Sequence, residues 1–288
     1  MKLPLVAHHS VLITGCSSGI GRATARILRE RGWRVLATAR KPDDVAALAA
    51  EGFESFALDL ADAASVANGA SEALLRTGGT LGALVNNAGY GQPGAVEDVS
   101  RDALRAQFEA NVLGLQDLTN RLLPAMITAG SGRIVHLSSV LGRVVIPMMG
   151  AYCATKHAVE ALADVQRVEL RGTGVGVMLV EPGPIETAFR RNAVSIGQAT
   201  LQVNSRFSLP DLASRADGSG AFTKPPEAVA VKIVHALESR RPRARYPVTL
   251  PAYAAPLMHA LLPQCVFDWI IGRRLPGKTE DGKLENGT

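Results

Sequence analysis

The feature that most limits the fold is a short apolar run, Ser10 to Thr14. It enters a turn holding Gly15, Gly19 and Gly21 and leaves as an amphipathic segment. An unbroken apolar strand reads as one buried on both faces, which is a strand of a parallel sheet. Ile20, Ala23, Ile27 and Leu28 recur among arginines, the spacing of a helix with one buried face, and Gly32 ends it. Glycines in such a turn carry no Cβ, so another group can approach the backbone closely. The alternation continues: strand over 33–39, helix over 45–50, strands over 53–58 and 81–86, a long helix over 101–129, strand over 132–139, helix over 152–171 and strand over 175–181. It predicts an α/β fold, a doubly wound parallel sheet with helices on both faces.

After Pro182 the pattern loosens. Residues 184–224 lack sustained periodicity, which predicts a loop that covers a ligand. A helix is expected over 225–240, starting at Pro-Pro-Glu, and a seventh strand over Tyr246–Leu250. One domain over 1–250, an apolar helical extension over 251–275 and a polar, mobile tail over 276–288 is the economical division. From Pro247 to Phe267 there is no charged residue, yet Pro247, Pro251, Pro256 and Pro263 interrupt the stretch. That argues against a membrane-spanning helix.

Composition narrows the partners. The 288 residues are 47% hydrophobic and 20% charged, which excludes a disordered chain. A formal charge of +5 fits nucleic acid, an anionic membrane or a phosphorylated ligand, so its placement decides. Aromatic residues are 5% and the arginines are dispersed, which argues against nucleic acid. Cys16, Cys153 and Cys265 form neither a disulfide framework nor a metal-ligand spacing, so no metal and a reducing, cytoplasmic compartment are expected. The start of the chain does not read as a signal peptide.

The turn itself reads Thr14-Gly15-Cys16-Ser17-Ser18-Gly19-Ile20-Gly21. A glycine-rich turn opening a helix can bring backbone N–H groups and the positive helix end to a pyrophosphate. At the end of the second strand stand Arg40 and Lys41, where a carboxylate would bind free ribose hydroxyls. Two cations there suit a 2′-phosphate, so NADP(H) is expected over NAD(H). Tyr152 and Lys156 share one helix face at i and i+4. A nearby ammonium lowers a phenol's pKa, which makes the tyrosine a general acid or base near neutrality.

These motifs, in this order, resemble the short-chain dehydrogenases/reductases from about Ser10 to Thr187. Thr14-Gly15-x3-Gly19-x-Gly21 is similar to the family's cofactor loop, and Asp59-Leu60 to its adenine contact. Asn86-Asn87-Ala88-Gly89 is similar to its fourth-strand motif, and Pro182-Gly183, Ile185 and Thr187 to the segment near the nicotinamide carboxamide. Asn111, Ser139, Tyr152 and Lys156 match its catalytic tetrad, with Ser139 lying 13 residues before Tyr152 and Ser138 beside it as a supporting hydroxyl. Cys153 and His157 flank the pair and read as packing residues, and Cys16 as a small space-filler.

The resemblance implies a Rossmann-like fold and hydride transfer between nicotinamide and a carbonyl or alcohol. Ser139 would bond the carbonyl oxygen and Tyr152 donate the proton. Lys156 would bind the ribose and depress the tyrosine's pKa, and Asn111 would hold a water leading to Lys156. Phe189, Val194, Ile196, Leu201, Val203, Phe207 and Leu209, with Met148 and Met149, predict an apolar aldehyde, ketone, steroid or retinoid-like substrate; Arg190, Arg191 and Arg206 stand between them. A 3-oxoacyl-type reductase and a non-catalytic NADP(H) sensor are the alternatives, the latter having no need of the tetrad. The resemblance also implies a homodimer or homotetramer. Arg240, Arg241, Arg243 and Arg245 precede the apolar extension, and Arg273 and Arg274 follow it. Such a helix can rest on an anionic bilayer, close the pocket or meet a second subunit.

Overall fold

The computed structural model describes residues 3–200, 205, 207 and 222–273. Seven parallel strands form one sheet in the order β3-β2-β1-β4-β5-β6-β7. They are β1 Ser10–Ile13, β2 Arg34–Ala39, β3 Glu54–Ala57, β4 Ala83–Asn86, β5 Gly132–Leu137, β6 Val175–Glu181 and β7 Arg245–Pro247. β1 pairs Leu12 with Leu36 of β2 on one side and with Leu84 of β4 on the other. The strand order reverses between β1 and β4, so the crevice beyond their C-terminal ends is where an open sheet of this kind binds ligands.

The period of two along each strand divides the core. Val11, Ile13, Val35, Ala37 and Val135 face one layer, which holds α1 (Gly19–Glu30), α2 (Pro42–Ala50) and α8 (Glu227–Glu238). Leu12, Leu36, Leu84 and Ile134 face the other, which holds α3 (Ala63–Arg76), α5 (Gly114–Thr128) and α6 (Gly150–Glu169). Both faces are buried, as the unbroken apolar strands require.

Several elements depart from expectation. Helix α3 has no counterpart in the sequence reading. Its buried residues Val66, Gly69, Ala70 and Ala73 are small, so the apolar stripe is faint, although Asp62 caps it by accepting from the Ala64 N–H at 2.9 Å. The long helix expected over 101–129 is α4 (Arg101–Phe108), a π-turn at Glu109–Leu113 and α5. The region after Pro182 contains a helix, α7 (Phe189–Thr200), whose glycine and polar residues hide its periodicity. The seventh strand stops at Pro247; Thr249 is extended and Leu250 and Pro251 open a helix, since proline is tolerated in a first turn. The apolar extension is two helices, α9 (Leu250–Leu261) and α10 (Gln264–Gly272), broken at Leu262 and Pro263. No helix among the described residues is long and apolar enough to cross a membrane. Leu201, Val203, Arg206, Leu209, Arg274 and the 276–288 tail lie outside the described residues.

Candidate active site

The turn after β1 is held from both sides. Thr14 Oγ1 accepts from the backbone N–H groups of Asn87 and Ala88 at 3.0 and 2.9 Å. The Asn87 amide returns two bonds, to the carbonyls of Thr14 and Gly15 at 2.8 and 2.9 Å. This close approach needs glycine. Gly15 has φ +72°, and a Cβ on Gly21 would lie 2.3 Å from the Gly15 carbonyl oxygen and 2.5 Å from the Asn87 amide nitrogen. A Cβ on Gly19, at φ +56°, would meet Thr187 at 3.0 Å, which brings the segment after β6 against the loop. Asn87 and Ala88 thus shape the turn, and Asn87 and Gly89 also face the cleft.

The cradle fits a pyrophosphate. Ser17 is half-buried and Ser18 is exposed and extended before α1. Ser18 caps α1 with no side-chain bond, and the first turn carries no acid that would oppose an anion at that helix end. Beside it, the Cys16 N–H donates to the Thr38 carbonyl at 2.7 Å and draws the turn to the end of β2. There Arg40 and Lys41 are exposed, and neither pairs with a carboxylate among the described residues. Asp59 is half-buried and accepts from the Ala61 N–H at 3.0 Å, while Leu60 is buried. Cys16 is buried and donates to the Ile13 carbonyl; burial pushes its thiol up to about 12, as suits a filler.

Three of the four tetrad candidates, Ser139, Tyr152 and Lys156, line one cleft beyond β5. Tyr152 and Lys156 stand on one face of α6, with Lys156 Nζ 5.8 Å from the tyrosine ring centre and donating to the Leu137 carbonyl at 2.6 Å. Ser139 follows β5 and stands beside the tyrosine hydroxyl. Its Oγ accepts from the Leu141 N–H at 3.1 Å and caps the short helix Val140–Gly142. The π-turn sets Asn111 facing inward. Its amide bonds the Tyr90 backbone in both directions, at 3.1 and 2.9 Å, and Thr155 Oγ1 at 3.2 Å. These bonds go to the loop after β4 and to Thr155 of α6.

The short chain dehydrogenase family matches this chain over residues 9–196, more than half its length. The chain belongs to that family. YbbO of Escherichia coli, an uncharacterized oxidoreductase, is 45% identical over 266 residues, 92% of this chain and 95% of its own. An NADPH-dependent 3-dehydrocapnine reductase of Ornithobacterium rhinotracheale is 32% identical over 278 residues, 94% and 98% of the two chains. A short chain dehydrogenase/reductase of Burkholderia phymatum, solved in complex with NAD, superposes with a TM-score of 0.75 at 26% identity, covering 94% of this chain and 97% of that one. This short chain dehydrogenase is an oxidoreductase with a nucleotide-binding fold.

Its cleft opens into a cavity of about 690 Å³. The polar end holds Ser139, Tyr152 and Lys156, with Ile20, Pro182, Gly183, Ile185 and Thr187 on the side of the turn. Apart from Arg190, the rest is mainly apolar: Val144 to Met149 from the segment before α6, Phe189 from α7, Met258 from α9, and Phe267 and Ile270 from α10. Met148 and Met149 line it as expected, whereas Val194 and Ile196 do not. Met148 adopts φ +66°, a costly conformation for a side chain of its size, and its carbonyl accepts from the Gly94 N–H at 2.9 Å. The walls from 144–147 and from α9 and α10 carry no motif; the only signal for them was apolar content. Cys153 packs against Tyr152 as expected, whereas His157 is exposed, its Nδ1 2.9 Å from the Cys153 carbonyl.

In the protein alone, burial drives the Tyr152 phenol above its ordinary value, with the Ser139 hydroxyl opposing. Burial also lowers Lys156, to about 8, with Glu160 opposing.

Proposed function

We propose that the protein is an NADP(H)-dependent reductase of apolar carbonyl compounds. The observation that carries this reading is the placing of Ser139, Tyr152 and Lys156 at the polar end of a mainly apolar cavity. Arg40 and Lys41, at the end of β2 and unpaired with carboxylates among the described residues, support a 2′-phosphate and so NADP(H). The NADPH-dependent relative, similar over nearly the whole chain, supports the same choice.

When bound, the nicotinamide supplies a hydride to the carbonyl carbon. The residues supply the rest. Ser139 donates to the carbonyl oxygen and stabilises the charge that develops there. Tyr152 gives its phenolic proton to that oxygen, so carbonyl, hydride and proton sum to the alcohol. A phenol kept protonated by burial is the right form for this direction. Lys156, protonated, steadies the tyrosinate left behind and holds the ribose.

Following the near-ultraviolet absorbance of NADPH across apolar aldehydes, ketones and β-keto compounds tests the substrate class. Tyr152→Phe tests the mechanism. General acid catalysis contributes about 10²- to 10⁴-fold, so kcat falls by that order while NADPH still quenches protein fluorescence. Unchanged turnover in that variant overturns the assignment of roles.

A further inference from the structure

Behind the Tyr152–Lys156 pair lies a second cluster of charge that the reaction above does not use. Glu160 stands one turn beyond Lys156 on α6, with 7% of its side chain exposed. Glu181 closes β6 and is 4% exposed. Arg245, opening β7, bonds Glu181 Oε1 at 2.7 Å and also bonds Glu160 and Asp164. This single guanidinium therefore joins three carboxylates on α6 and β6. Arg143 lies 3.5 Å from Glu181, and Arg167 bonds Asp164 at 2.6 Å. The neighbouring imidazole, His136 of β5, is buried and neutral, its pKa driven down to about 4 by burial.

The cluster touches the reacting groups at one crowded point. A Cβ on Gly142 would lie 2.5 Å from Ser138 Oγ, 3.0 Å from Glu160 Cγ and 3.1 Å from the Lys156 carbonyl. Glycine there lets the end of β5, which carries Ser138 and Ser139, pack against the Lys156–Glu160 turn of α6. Ser138 Oγ and Glu160 Oε1 are both buried without a completed hydrogen bond among the described residues. Burial raises the Glu160 carboxyl above its ordinary value, while the Ser138 hydroxyl and Arg245 oppose this by favouring the carboxylate. Residues at i and i+4 on a helix face are neighbours, so the Glu160 carboxylate is the nearest anion along α6 to the Lys156 ammonium.

We propose that Glu160 is a positioning residue for the reduction: clamped by Arg245 and packed on Ser138, it holds Lys156 in its protonated form and fixes the strand end that carries Ser139. The inference rests on the role given to Lys156 under the proposed function. Arg245 of β7 bonds the carboxylate and ties it to Glu181 of β6, which restrains it from swinging away to water. The sign follows from charge. Burial works against the ammonium and an adjacent carboxylate works for it, so removing that carboxylate makes Lys156 lose its proton at lower pH.

The test separates this from a structural role. Lys156 lines the cavity, so a small acylating reagent reaches it. Acetylation of cofactor-free protein by acetic anhydride, followed across pH by mass spectrometry of the Lys156 peptide, reads its deprotonation directly. Glu160→Gln, equal in shape, is expected to lower that midpoint by about one pH unit, and the alkaline limb of kcat/KM by the same amount. Glu160→Asp, which keeps the charge, holds both near the wild-type value. Asp164→Asn cuts another bond of Arg245, two turns from Lys156, and leaves both in place. Identical acetylation midpoints in wild type and Glu160→Gln overturn the proposal. So does a shifted midpoint with an unshifted activity profile, or an equal shift in Asp164→Asn. Failure of the wild type to reduce any carbonyl sinks the proposed function instead, and the acetylation midpoint still decides what Glu160 does.

Discussion

The two sides of the cleft are built from different materials. On the nucleotide side, bare backbone is gripped at close range: Gly15, Gly19 and Gly21 lie within contact of Ala88, Thr187 and Asn87, and four hydrogen bonds tie Thr14 and Gly15 to Asn87 and Ala88. On the substrate side, apolar side chains from α7, α9 and α10 form a wall that is thinly supported. Ala252 is the buried residue of α9 and Phe267 that of α10, while Leu257, Leu261 and Trp269 are exposed on the outer face. Helix α1, of similar length to α9, buries five residues, Gly21, Ala23, Thr24, Ala25 and Leu28. The first side has one permitted shape; the second can shift to suit what it covers. A fixed nucleotide site beside an adjustable apolar wall is how one fold keeps its chemistry and varies its substrate.

Gly21→Ala should expose the contrast most sharply. The added Cβ meets a backbone oxygen and a hydrogen-bonded amide, neither of which can yield without opening the turn. Overpacking of this kind costs roughly 1–3 kcal/mol, so NADPH affinity should fall by up to about a hundredfold. Fluorescence titration with NADPH checks it. An unchanged Kd would show that the turn is as pliable as the far wall, and the comparison would collapse.

Arg40→Ala should have the next largest effect, and on one cofactor only. A charge-assisted bond to a phosphate is worth about 1.5–3 kcal/mol, so the ratio of kcat/KM with NADPH to that with NADH should fall by roughly 10- to 100-fold. The fall should come mainly from the NADPH value. If both cofactors lose equally, Arg40 supports the turn and does not read the 2′ position.

What the sequence made legible follows the same division. The strand run, the glycine spacing and the Tyr152–Lys156 pair are local patterns, and the structure brings them to one cleft. Helix α3 was missed because small residues bury without a strong stripe, and α7 because Gly197 and polar neighbours dilute its face. The arginines at 240–245 read as one cationic bracket before the apolar extension. In the structure they part. The Arg240 carbonyl accepts from the Leu3 N–H, and Arg240, Arg241 and Arg243 are exposed, whereas Arg245 enters the Glu160–Glu181 network. Glu160 and Arg245 stand 85 positions apart, and no periodicity connects residues that far apart.

Ile270→Ser tests the adjustable side and should give the smallest change. Ile270 lines the cavity from α10 and is half-buried, so the swap removes apolar contact without leaving a sealed void. Losing part of one aliphatic side chain from a substrate contact is worth about 1 kcal/mol, which raises KM for an apolar ketone roughly fivefold. The turnover of bound substrate should hold, since Tyr152 and Ser139 are untouched, and NADPH affinity should hold because the turn lies on the opposite wall. A short aldehyde that never reaches α10 should show no change in KM. That pairing is decisive: if the short and long substrates suffer alike, α10 braces the whole cleft and the substrate side is as rigid as the nucleotide side. If only the long one suffers, the wall reads substrate length by contact area alone.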